Sequence, residues 1–437
     1  MFDEEHMKQK LPLFIGLAAI LLIVGIMIKS RKTSSIVERQ IIPGTVAKLK
    51  NTNTKVDLSK YAVNFFMENS ASMDGYVNGT TEFKDVLGKM IVSSHHHCKS
   101  TDLYFVNNAV YQADGNAINF IQMLNPSRIK VGNVGSTDVN QIFRNILNRT
   151  KKDTISVLFS DCIYSVKNVT DELDNAKNAT TDAFLTALKS NPELATIILQ
   201  FSSKFSGFYY DRNDVPYKCD SVRPFYVVIT GNKSALKQIY KDFKINKLPG
   251  LKNLCFLSPE SWTLDEKTSC SIISDYTNAR RIKNDKHNFL DIVSIDLDKA
   301  STELQFAIGF DGTNIFAHSS YLCDVANYSI EPSDYKVVNV VPASPSAKGD
   351  FSVVPQNPYA IAIKVPNGNF APLITISLRK GIPSWVKDAN IKDDAGSVPP
   401  SDKSFAIQKM IEGIVDAYST DHEDYFKLQV NINEYNR

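Results

Sequence analysis

Between Tyr61 and Phe243 the sequence alternates short, continuous apolar runs with segments whose apolar residues recur at helical spacing, and few folds accommodate that alternation. The runs Tyr61–Met67 (YAVNFFM), Asp102–Val106, Thr154–Phe159 (TISVLF), Ala195–Phe201 and Pro224–Thr230 have the length and character of strands buried on both faces. Between the first two, Phe83, Val86, Leu87, Met90 and Ile91 line one side of a helix predicted over Glu82–Val92. Further helices are predicted over Ile118–Leu124, Asp138–Leu147, Asp182–Leu188 and Ser234–Phe243. A strand apolar on both sides needs cover above and below, and intervening helices supply it. Residues 58–260 are therefore expected to form an α/β domain around a doubly wound, mostly parallel sheet.

A different constraint acts at the start of the chain. Leu11–Ile28 (LPLFIGLAAILLIVGIMI) runs eighteen residues without a charge, after a polar tail of residues 1–10 and before Lys29, Arg31 and Lys32. A helix needs about 20 apolar residues to cross the hydrocarbon layer, whereas a cleaved signal peptide has an apolar core of ~7–15 residues ending in small side chains. Here the run ends in Ile26, Met27 and Ile28, so an uncleaved single-pass transmembrane helix is expected at 11–28, followed by a linker over 29–57. With Lys8 and Lys10 before the span and three cations after it, the positive-inside rule leans weakly toward a cytoplasmic bulk domain.

At 437 residues the chain exceeds one ordinary core, and after Pro259 its pattern changes. Phe289–Leu297, Glu303–Ile308, Tyr335–Val341, Tyr359–Val365 and Leu373–Leu378 are short and β-rich, with Gly, Pro, Asn and Asp between them. Phe405, Ile407, Met410, Ile411, Ile414, Val415 and Tyr418 then make the apolar stripe of one helix, and Tyr425–Ile432 reads as a last strand. Residues 261–437 are expected to form a β-rich C-terminal domain with this late amphipathic helix, and 342–358 and 393–404 to be surface loops. The balance of 49 basic against 47 acidic residues carries no nucleic-acid footprint, and no nucleic-acid partner is expected.

In doubly wound sheets ligands bind at the carboxyl ends of the strands, so polar residues that directly follow strand-like runs are the candidates for chemistry. Glu68-x-Ser70-x-Ser72 follows the first strand, Gly135-Ser136-Thr137-Asp138 opens a helix, and Ser160-Asp161 follows TISVLF. Carboxylates and hydroxyls are all oxygen donors, the chemistry of a hard cation such as Mg²⁺, which keeps waters and so leaves a position for an incoming carboxylate. The bland alternative is that Ser70, Ser72 and Thr137 cap helices.

The order and spacing of these groups resemble the metal-ion-dependent adhesion site of von Willebrand factor type A domains, with its Asp-x-Ser-x-Ser, Thr and Asp elements, over roughly Tyr61–Ser258. The resemblance implies a Rossmann-like fold in which Ser70, Ser72 and Thr137 supply hydroxyl ligands and Asp161 a carboxylate acting directly or through water. It departs from the family at Glu68, which stands where the first Asp belongs, and at Cys162, which stands where a Gly commonly follows the last Asp. The extra methylene of Glu68 moves its carboxylate by more than about an ångström, and Mg²⁺ tolerates such misplacement poorly, so the alternatives are a site that binds weakly, one that prefers Ca²⁺ or Mn²⁺, and one that is empty.

Other features carry blander readings. His95-His96-His97 cannot converge on one ion from adjacent positions and is expected in a solvated loop after the first helix. Six scattered cysteines make no CxxC pair and read as reduced thiols. A hydrolase using Ser70 or Ser72 lacks a Gly-x-Ser-x-Gly elbow and a nameable base. The expected function is non-enzymatic: a membrane-anchored protein that docks a protein partner, with an Asp or Glu of that partner completing the cation's shell. A metal-dependent hydrolase and a structural component of an envelope or defence complex with a vestigial site are the alternatives.

Overall fold

The computed structural model describes residues 55–132, 134–135, 138–163, 172–260, 270–273, 281–284, 291–296, 304–312, 315–342, 359–365, 371–432 and 435–436. The apolar run 11–28, linker residues 29–54, Ser136, Thr137, Trp262 and the 343–358 loop lie outside them. Among the described residues no helix is long and apolar enough to cross a membrane.

The apolar runs become a seven-stranded sheet made of β1 (Ala62–Glu68), β2 (Ser100–Val106), β3 (Val110–Gln112), β4 (Thr154–Ser160), β5 (Leu194–Tyr210), β6 (Pro216–Asn232) and β7 (Leu251–Leu257). Its order is β3-β2-β1-β4-β6-β5-β7, and β1 lies between β2 and β4, parallel to both. Successive side chains of a strand face opposite ways, so each strand feeds two cores. Val63, Phe65, Met67, Val157, Phe159, Val227 and Ile229 pack under the helices Glu82–His97, Ala117–Gln122 and Lys233–Asp242. Phe66, Leu158, Ile198, Tyr226 and Val228 face the helices Val139–Leu147 and Glu172–Ser190 on the other side. The expected α/β architecture with helices on both faces is present.

The sheet is mixed. β1, β2, β4 and β5 run one way and β3, β6 and β7 the other, because β5 and β6 form one long hairpin that inserts β6 antiparallel between β4 and β5. Each hairpin strand is 17 residues long, more than twice the apolar runs that announced them. The outer parts, 202–210 and 216–223, alternate buried residues such as Phe205, Tyr209 and Cys219 with exposed ones such as Lys204, Phe208 and Lys218. A period of two over a two-stranded ribbon lacks the continuous apolar run that marks a central strand.

The first long helix also outruns its expected end. It continues from Glu82 to His97, so His95, His96 and His97 occupy its exposed last turn rather than a loop. No Gly or Pro interrupts residues 89–97, and Thr81 caps the other end by accepting a hydrogen bond from the Lys84 amide at 3.3 Å.

The C-terminal strands build two further sheets. In one, Lys336–Pro342, Tyr359–Val365, Leu304–Phe310 and Cys270–Ile273 are all antiparallel. The other includes Tyr328–Glu331, Leu373–Arg379 and Asp424–Ile432. Phe306, Ile308, Phe310, Ile361 and Ile363 of the first meet Ile374, Ile376, Leu428 and Val430 of the second in one core, the packing of a β-sandwich.

The late helix, Ile407–Ser419, does not join that sandwich core. Met410, Ile411, Ile414 and Tyr418 pack with Phe143, Ala183, Phe184 and Ile198 on the second face of the seven-stranded sheet. The Tyr418 hydroxyl lies 2.7 Å from that of Thr196 on β5, and Thr181 donates to the Gly413 carbonyl at 3.0 Å. A Cβ at Gly413 would stand 2.6 Å from the Lys177 carbonyl oxygen and 2.8 Å from Thr180 Cβ. Gly413→Ala is therefore expected to cost about 1–3 kcal/mol by forcing the two helices apart, read as a lowered urea midpoint.

Candidate functional site

Glu68 is the last residue of β1 and Ser160 the last of β4, so the strand ends bring Glu68, Ser70, Ser72 and Asp161 together. After β1 the chain runs to the helix Glu82–His97 on one face, and the helix that follows β4 in sequence, Glu172–Ser190, covers the other. Connections that diverge to opposite faces leave a crevice at the carboxyl ends of the two strands.

Glu68 and Asp161 are each only 2% exposed. Ser70 donates to Glu68 Oε1 at 2.7 Å and Ser160 donates to Glu68 Oε2. The Ser70 and Ser72 hydroxyls are 3.0 Å apart, and Ser72 in turn hydrogen-bonds Asp161. The result is a continuous run of oxygen atoms, Glu68–Ser70–Ser72–Asp161. Burial, and then the nearby charge of Asp161, push the Glu68 carboxyl up to about 8. Burial also raises Asp161, against the opposing pull of the Ser72 hydroxyl, the Ile163 amide at 3.2 Å and the Arg223 guanidinium. Both carboxyls are raised, so the buried pair favours keeping a proton, and the rotatable serine hydroxyls satisfy either protonation state.

The helix-cap reading of the serines fails here, since Ser70 precedes a short 3-10 turn, Ala71–Met73, without making a side-chain cap bond. Asp138, by contrast, does cap: its carboxylate accepts from the Asn140 amide at 2.9 Å at the start of Val139–Leu147. Thr137, the remaining expected ligand, lies outside the described residues. The segment leading to it starts against the serine loop, because the Ala71 amide donates to the Val134 carbonyl at 3.1 Å. Cys162 adopts φ of +54°, a left-handed conformation that glycine takes at little cost.

Two groups of residues at the site have no sequence signal that singled them out. Asn69 and Asn107, both buried, tie the segment 129–131 to the ends of β1 and β2. The Asn69 amide nitrogen donates to the Ile129 and Val131 carbonyls, each at 2.7 Å, and Asn107 donates to Asn69 Oδ1 at 3.0 Å. Arg223, 2% exposed on β6, donates to the carbonyls of Pro399, Pro400 and Lys403 at 2.7, 3.0 and 3.1 Å, with its guanidinium 4.9 Å from the Tyr209 ring centre. Tyr209 donates to Asp394, so residues 394–403 are bound down onto the β5–β6 hairpin behind the carboxylate pair. Neither the asparagines nor Arg223 show their partners in sequence.

In its donor chemistry the cluster fits a hard cation: two carboxylates and neighbouring hydroxyls, all oxygen, in a buried crevice. Among the described residues no group of three or more His, Cys, Asp or Glu side chains is placed to hold a metal ion, so any cation here would depend on hydroxyl and water ligands. Cys98, Cys162, Cys219, Cys255 and Cys323 are free thiols. No protein-family model matches the chain, and no curated protein matches it, so the reading of this site rests on its own residues and geometry.

Proposed function

We propose that the chain is a membrane-anchored protein, resembling von Willebrand factor type A proteins, that docks a protein partner or scaffolds an assembly through a divalent cation held by Glu68, Ser70, Ser72, Thr137 and Asp161. The observation that carries the reading is the run of oxygens from Glu68 to Asp161 at the ends of two parallel strands, with two buried carboxylates close enough to disturb each other. A buried carboxylate pair costs stability unless a proton or a cation neutralises it, so the arrangement stores affinity for a cation. When bound, Mg²⁺, Mn²⁺ or Ca²⁺ would supply an open coordination position for a partner's Asp or Glu. The protein's residues do the rest: Ser70 and Ser72 orient the two carboxylates, Asn69 and Asn107 brace the loop that carries them, and Cys162 turns the chain after Asp161. The apolar run 11–28 would hold this face near a membrane surface.

Calorimetric titration of the chelator-stripped full-length chain with Mg²⁺, Mn²⁺ and Ca²⁺ tests this. Binding is expected to disappear in Asp161→Ala and to weaken more than about tenfold in Thr137→Ala, since a hard cation loses one ligand in each. Near pH 7 each ion bound should displace a proton from the Glu68–Asp161 pair, seen as a binding heat that varies with the ionisation enthalpy of the buffer. A well-folded chain that gives no heat with any of the three ions would sink the cation reading and leave the cluster as a protonated structural bridge between β1 and β4.

A further inference from the structure

We infer that the groove between the helix Glu82–His97 and residues 243–248 is a docking site for an acidic amphipathic helix of a partner protein. The groove encloses about 600 Å³. It shares no residue with the carboxylate site, and the inference stands whether or not that site binds a cation.

Its floor is apolar, formed by Gly88, Val92, Ile121, Phe243 and Leu248. Val92 is 43% exposed, although it sits on a helix whose other apolar residues are buried. The rim is basic, with Lys84 and Lys89 on one wall and Lys244 and Lys247 on the other. The one carboxylate lining the groove, Asp85, is paired with Lys89 at 2.7 Å. Four ammonium groups against one carboxylate select an acidic occupant. The four are divided between two elements, two on the helix Glu82–His97 and two in residues 243–248. The lining residues 84, 85, 88, 89, 92 and 93 follow a single face of their helix for about 13 Å at about 1.5 Å per residue, the length of two to three turns of a partner helix.

Two residues at the groove are unfavourable choices for the folded chain on its own. Gly88 lies in mid-helix, where glycine is weaker than alanine, yet a Cβ there would meet only Ile121 Cγ2, at 3.4 Å. Internal packing does not require a glycine, whereas close approach of a second helix along the groove does. Lys244 holds a left-handed φ of +51°, a conformation that ordinarily favours glycine or asparagine, and so turns the chain between Phe243 on the floor and Lys247 on the rim.

A phage library of random peptides about 16 residues long, selected on the full-length chain in detergent and counter-selected on Gly88→Leu, tests the inference. Enriched peptides are expected to carry Asp and Glu with apolar residues at i, i+4 and i+7. Fluorescence anisotropy with an enriched peptide should show affinity that falls with rising salt, and a loss of more than about tenfold in both Gly88→Leu and Lys244→Glu/Lys247→Glu. The double lysine variant alters only exposed side chains, so it keeps the test decisive if Gly88→Leu does not fold. Enrichment of nothing over the counter-selection, or of basic or patternless peptides, would overturn the inference. Displacement of the peptide by short-chain phosphatidylserine at equal concentration would overturn it in favour of a lipid surface.

Discussion

Replacing Arg223 with alanine is expected to destabilise the protein by about 3–5 kcal/mol, measured as a fall in the urea midpoint at unchanged slope. The guanidinium is buried and donates to three carbonyls, of Pro399, Pro400 and Lys403, that would be left without this donor. It also packs over the Tyr209 ring, so its removal opens a cavity beside a buried aromatic side chain. Arg223→Lys keeps the charge but not the planar fork that reaches three acceptors, and should lose about half as much. If Arg223→Ala cost no more than an exposed substitution, the segment 394–403 would not be held to the hairpin as described.

The second large effect concerns pH. In chelator, the protein is expected to lose stability as pH rises from about 4.5 toward 8, and Glu68→Gln is expected to remove that loss. The folded Glu68 carboxyl is raised to about 8 while the unfolded one ionises near 4.5, so between those values the native state binds more protons than the unfolded state. Stability therefore falls with pH across that window, by up to about 1.4 kcal/mol for each unit separating the two values. Comparing the urea midpoints of wild type and Glu68→Gln at both ends of the window separates the coupled Glu68–Asp161 pair from the remaining titrations. Parallel curves for the two proteins would mean that Glu68 is solvated and ionised, and would remove the buried carboxylate pair from any account of the site.

The candidate site was legible in sequence to the extent that its residues follow strands. Glu68, Ser70, Ser72 and Asp161 stand directly after two continuous apolar runs, and a run of that kind ends where the sheet ends, so its polar followers lie at the rim. Their hydrogen-bonded order depends on β1 and β4 being parallel neighbours, which the alternation of helices and strands anticipates. Asn69, Asn107 and Arg223 were not legible, because their partners are backbone carbonyls 24 to 180 residues away and a carbonyl has no sequence signature.

The same contrast runs through the whole fold. By itself the sequence determined the two-faced α/β core, the ends of β1 and β4 and the β-rich character of residues beyond 260, since local hydrophobic period records how many faces a segment buries. Only the tertiary structure decided where each apolar face would be spent. The stripe on Ile407–Ser419 would cover a sandwich or a sheet equally well, and it covers the sheet because Gly413 lets it approach Glu172–Ser190 closely and Tyr418 finds Thr196. The β5–β6 hairpin likewise took the place of a parallel crossover because five residues join its strands, too few to carry a covering helix across the sheet. Period is a property of neighbours along the chain, whereas pairing direction and docking partner depend on shape complementarity between segments far apart in it.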